Sequence, residues 1–86
     1  MIGQDNGVVM VRYFAAARAA AGVAQEQAEA PTLAALLAGL SVSRGPKLAK
    51  IFGVASFLVD GLAWRDREAP LPPGATIDVL PPFAGG

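Results

Sequence analysis

Thr76-Ile77-Asp78-Val79-Leu80-Pro81-Pro82-Phe83-Ala84-Gly85-Gly86 is the stretch that decides how this chain is built. Residues 76–80 alternate polar and apolar side chains and end in a leucine, the pattern of a strand with one buried face. Pro81 and Pro82 forbid its continuation as an ordinary sheet member, because neither has an N–H to give to a ladder. Beyond them the side chains shrink to nothing, and the chain is expected to stop at a free carboxylate on Gly86. Residues 81–86 therefore predict a stiff exit and an extended tail held clear of the body. Two glycines let such a tail enter a narrow tunnel in another protein, where any Cβ would meet the walls. A plainer reading is a trailing end, since chain termini are commonly small and frayed. With 10 glycines in 86 residues, composition alone yields that pair roughly one time in seventy. The strand, proline pair, aromatic and alanine before it narrow the pattern further. The expected working group is the terminal carboxylate.

Working outward, the composition sets the scale of the body. A chain of 86 residues is one domain with a single modest core. Hydrophobic residues make up 53% and charged ones 16%, which argues for a folded chain and leaves apolar surface over for a partner. Lys and Arg together number 7, matched by 7 acidic residues. That balance gives no footprint for nucleic acid or an anionic membrane, so neither is expected as a partner. Apolar runs fall short of a membrane span and the N-terminus lacks a signal-peptide pattern, so the expected address is cytoplasmic. Cysteine and histidine are both absent. Disulfides, thiol nucleophiles and imidazole catalysis are thereby excluded, and no metal site is expected. Asp66 and Glu68 alternate with Arg65 and Arg67, the pattern of a solvated loop.

Residues 1–7 are polar and glycine-containing and read as a loose leader to a domain at 8–80. Residues 8–14 form a β-rich apolar run, fit for a central strand. Its parity separates Val9, Val11 and Tyr13 from Val8, Met10, Arg12 and Phe14. The first set belongs in the core, because Arg12 is costly to bury unpaired; Met10 and Phe14 are then left to a partner. Residues 15–21 predict a helix of a turn or two, stopped by Gly22. Residues 23–30 are the weakest strand and suit an exposed edge. Thr32 is the expected N-cap of a helix whose Leu33, Leu36, Leu37 and Leu40 make one apolar stripe. Residues 41–45 read as a loop, and Pro46 opens a short helical piece with Leu48, Ile51 and Phe52 apolar and Lys47 and Lys50 solvated. Residues 55–60 predict a strand, Asp60-Gly61 a turn, and residues 62–64 a short return strand.

The order is strand, strand, helix, strand, short strand, strand. One long helix covers only one face of a sheet, so the layers are two. The first and last strands, being the most apolar, are expected as central neighbours. This is an α+β fold, a ubiquitin-like β-grasp with a mixed sheet packed on one main helix.

At this level of detail the chain resembles the small subunit of molybdopterin synthase, a ubiquitin-like sulfur carrier related to the thiamine-pathway carrier. The resemblance covers nearly everything after Gly7. It is carried by Phe14-Ala15-x-x-Arg18-x-x-x-Gly22, by Pro31-Thr32, by Val59-Asp60-Gly61 and by Pro81-Pro82-x-x-Gly85-Gly86. Asp60 stands where the family more often has Asn, and a type I′ turn stays open to it. The resemblance implies that an E1-like adenylyltransferase/sulfurtransferase spends ATP to adenylate Gly86, which then becomes a thiocarboxylate. It implies no cofactor bound by the chain itself. It implies insertion of the tail into a large subunit, two small and two large per assembly, and delivery of sulfur to cyclic pyranopterin monophosphate. Gly86 would carry the sulfur and Gly85 let the backbone thread. The resemblance implies partner contacts at Phe14, Arg18, Trp64 and Leu80, and along the tail at Pro81, Pro82, Phe83 and Ala84. Trp64 also reads as a cap on the core edge, and Arg18 as a plain solvated arginine.

Two further functions stay open: sulfur carriage for thiamine, cysteine or tRNA thiolation, and a ubiquitin-like protein tag or binding module. By resemblance the proline pair favours molybdopterin, because thiamine-type carriers usually lack it.

Overall fold

The two most apolar strands lie side by side in a computed structural model that describes residues 7–82. Strand β1 (Val8–Tyr13) runs parallel to β5 (Thr76–Leu80), with Arg12 opposite Asp78 and Tyr13 opposite Val79. Between them in sequence come α1 (Ala15–Ala21), β2 (Gln25–Glu29), α2 (Leu33–Arg44), α3 (Pro46–Phe52), β3 (Ser56–Val59) and β4 (Leu62–Ala63). The five strands form one sheet in the order β2-β1-β5-β3-β4, with every pairing but β1–β5 antiparallel. β2 takes the edge, as its weak apolar content requires. No helix among the described residues is long and apolar enough to cross a membrane.

Strand parity divides the sheet as expected. Val9, Val11, Tyr13, Phe57, Val59, Ile77 and Val79 are buried in one cluster with Leu33, Leu36, Leu37 and Leu40 of α2. Ala17 and Ala21 of α1, and Leu48 and Phe52 of α3, complete that cluster. The layers are therefore sheet and helix, the ubiquitin-like β-grasp. Burying one leucine of the stripe is worth about 1.5–3 kcal/mol, so the stripe dominates the stability of α2. Its N-cap is Thr32, whose Oγ1 accepts the Ala35 N–H at 3.1 Å.

One local reading needs correction, beside a helix that forms as expected. The whole of α1 is set into the link between β1 and β2. Gly22, in the left-handed region at φ 82°, ends α1 by donating its N–H to the Arg18 carbonyl. Residues 41–44, expected as loop, extend α2 by a turn. A tertiary clamp explains that extra turn: Arg44 Nη2 and Nε reach the Glu26 carboxylate at 2.7 and 3.0 Å, and Nη1 donates to the Ala21 carbonyl at 3.3 Å. The Tyr13 hydroxyl donates to the same carboxylate at 2.5 Å. Arg44 holds Glu26 below the usual carboxylate range against the opposing effect of burial, while burial, then Glu26, pushes the Tyr13 phenol up. Residues 65–68 are exposed, as a solvated loop should be, and Arg67 is nonetheless anchored. The Arg67 guanidinium lies 5.2 Å from the centre of the Phe57 ring and donates to the Phe52 carbonyl at 3.2 Å.

The Asp60-Gly61 turn forms as read. Both residues have positive φ, 50° and 84°, as a type I′ hairpin turn demands. Asp60 adds a bond that the turn rule does not foresee: its Oδ1 accepts the Thr76 N–H at 2.9 Å, tying the hairpin to the start of β5.

Candidate functional site

The candidate site is the outer face of the sheet where β1 and β5 end. Their parallel register sets Arg12 and Phe14 beside Asp78 and Leu80, on the face opposite the core. Phe14 is fixed by its backbone. Its N–H donates to the Val79 carbonyl at 3.3 Å, and its own carbonyl accepts from Ala17 and Arg18 at the start of α1. The chain then turns sharply through Ala15 at φ 50°. With its backbone so committed, Phe14 is left 37% exposed. Leu80 is half-buried beside it, Pro81 follows half-buried, and Pro82 is exposed. Phe83, Ala84, Gly85 and Gly86 lie outside the described residues.

Met10, Leu58 and Leu80, all half-buried, share this face with Phe14 by register and parity. Among them sits a polar pair that the strand pattern did not single out. Arg12 Nε donates to Asp78 Oδ1 at 2.7 Å, and Nη2 to Oδ2 at 3.0 Å, a fork-to-fork ion pair. Asp78 is 7% exposed, the one buried charged residue among those described. The Arg12 guanidinium also lies 5.6 Å from the centre of the Phe14 ring, within cation–π range. Hydrogen bonding to Asp78, and then its charge, raises the guanidinium pKa above an already high value. The signal for this pair was present: an arginine and an aspartate at matching positions of the two strands expected to be central neighbours.

Of the remaining candidates, Arg18 is exposed on α1, with its backbone N–H bonded to the Phe14 carbonyl. Trp64 stands at the far side of the sheet, half-buried and packed against the core, with its N–H bonded to the Phe57 carbonyl at 2.9 Å. Its indole Nε1 is buried without an acceptor among the described residues. Trp64 borders a cavity of about 280 Å³ with Ser56, Phe57, Arg65 and Arg67, so the core-capping reading describes its packing. The structure thus brings Phe14, Leu80, Pro81 and Pro82 to one corner, with Arg18 exposed on the helix that leaves it and Trp64 at the β4 edge of the sheet.

A mixed sheet grasping one main helix, with its central final strand running out at a proline pair beside an exposed aromatic, defines a ubiquitin-like carrier domain. Within that class the chain belongs to the ThiS family of ubiquitin-like sulfur carriers, whose match runs over residues 11–86. Among solved structures it is similar to small archaeal modifier protein 1 from Methanosarcina acetivorans, at 24% identity and a TM-score of 0.81, over 93% of this chain and 97% of that one. It is similar also to subunit 1 in the complex of subunits 1 and 2 of the molybdopterin-converting factor from Helicobacter pylori 26695, at 25% identity and a TM-score of 0.68, over 92% and 99%. A putative molybdopterin converting factor subunit 1 from Pyrococcus furiosus is 25% identical with a TM-score of 0.69, over 88% and 98%. No curated protein matches the chain by sequence.

Proposed function

We propose that this chain is the sulfur-donating small subunit of molybdopterin synthase, with Gly86 as its working residue. The observation that carries the reading is the 25% identity to molybdopterin-converting factor subunit 1 over 92% of the chain, in a protein solved bound to subunit 2. The family match through residue 86, which includes the Gly85-Gly86 end, supports it.

The chemistry follows from the carboxylate. With an intrinsic pKa of ~3.3–3.7 it is ionised at neutral pH and is a poor electrophile. Attack of one oxygen on the α-phosphorus of ATP, in the active site of an E1-like enzyme, expels pyrophosphate and gives an acyl-adenylate. Hydrosulfide released by a sulfur donor then attacks the carbonyl carbon and displaces AMP, leaving a C-terminal thiocarboxylate. That soft nucleophile needs no cysteine in the carrier, consistent with a chain that has none. Inserted into the large subunit, the thiocarboxylate delivers sulfur to cyclic pyranopterin monophosphate, two deliveries completing the dithiolene. Phe14, Leu80, Pro81 and Pro82 form the docking corner, and the residues from Phe83 onward reach the reaction centre.

The likeness in fold to small archaeal modifier protein 1, with the higher TM-score of 0.81, favours a second reading, a protein tag joined to lysines. One experiment separates the two. The full chain is incubated with ATP, an E1-like enzyme and a sulfur donor, and its intact mass is measured, followed by addition of large subunit and cyclic pyranopterin monophosphate. An oxygen-to-sulfur mass gain and formation of molybdopterin are expected. Attachment to lysines with no sulfur gain would establish the tag reading instead.

A further inference from the structure

The Arg12–Asp78 pair lies among apolar side chains on the outer face of the sheet, a face that also carries Gln25 opposite Arg12, Gln27 and Thr76 opposite Met10, and Ser56 opposite Leu80. It is flanked through register and parity by Met10, Phe14, Leu58 and Leu80. An arginine has five N–H donors in a fixed planar fork. Asp78 takes two of them, so three remain without an acceptor among the described residues. The burial is lopsided: the Asp78 side chain is 11% exposed, the Arg12 side chain 47%. The carboxylate is thus sunk into the face and holds the guanidinium plane, while the opposite edge of the fork looks outward.

A partner covering this face meets a definite chemical demand. Purely apolar cover would strand charged N–H donors away from water, which is costly. A carboxylate would bring a second negative charge toward Asp78 while water is being excluded, and like charges repel strongly there. A neutral carbonyl oxygen satisfies the donors without either cost. Resting on the docking role proposed above, we infer that Arg12 is a specificity-determining residue of the carrier's docking face, receiving a neutral carbonyl oxygen of the large subunit. Asp78 is its positioning residue.

The test measures two quantities on the full chain, affinity for the purified large subunit and the midpoint of denaturant unfolding. In Arg12→Leu/Asp78→Leu both charges go together, so neither is left unpaired in the sheet. The expected result is an unfolding midpoint equal to or above that of the parent chain, with affinity for the large subunit weakened by about tenfold or more. Arg12→Lys keeps the charge on a half-exposed side chain and loses the planar fork. It is expected to fold normally and also to bind more weakly. Unchanged or tighter binding by the double variant, or full affinity in Arg12→Lys, would overturn the inference while leaving the carrier reading intact. Failure of the parent chain itself to bind the large subunit would remove both.

Discussion

Gly86 and Phe14 divide the labour of the proposed carrier between chemistry and docking, and single substitutions can part them. Deletion of Gly86 is expected to leave the unfolding midpoint unchanged and to abolish sulfur loading, read by intact mass; full loading of the shortened chain would dismiss the terminal carboxylate as the acceptor. Phe14→Glu is expected to change stability by no more than about 0.5 kcal/mol, the usual range for exposed positions, while weakening large-subunit binding. A large loss of stability would mean that the ring is part of the core. Parity made Phe14 legible, because the arginine two residues earlier could not be placed inward without a partner. The same logic did not reveal where Asp78 lies. A single charge in an apolar strand reads as solvent-facing, and only the pairing of β1 with β5 shows that it is nine-tenths buried beneath Arg12.

Elements were read most securely where one face is apolar. The leucine stripe of α2 sits wholly in the core, and Leu36→Ala is expected to cost about 2–5 kcal/mol, measurable as a lower denaturant midpoint. Loss of the cap in Thr32→Ala should cost about 1 kcal/mol by the same measurement, without touching the docking face. The end of α2 was not legible. Ser41, Val42 and Ser43 are indifferent helix formers, and the turn they make persists because Arg44 reaches Glu26, 18 residues away in sequence. Acid should expose that dependence. The folded pKa of Glu26 lies below its unfolded value, so its stabilising effect is full above the ordinary glutamate pKa of about 4.3. It fades as the pH falls through that value and is gone below the depressed folded one. Glu26→Gln should therefore flatten the acid limb of stability against pH, an expectation that equal acid limbs in the two proteins would contradict.

For the molecule as a whole, the architecture was accessible from sequence because its two central strands are also its two most apolar. What escaped were features set by contacts between distant segments: the last turn of α2 held by Glu26, the Arg67 contact with Phe57, and the bond from the Thr76 N–H to Asp60. The parallel pairing of β1 with β5 also constrains how the molecule comes into being. Arg12 and Asp78 are 66 residues apart in sequence, so the middle of the sheet cannot close until the chain has been made through residue 80. Until then β1 has β2 on one side and an unpaired row of backbone amides and carbonyls on the other, an open edge of the kind that invites aggregation. A truncated or stalled product ending before Thr76 would therefore be a sticky fragment, and the domain matures only once its final strand slides between β1 and β3.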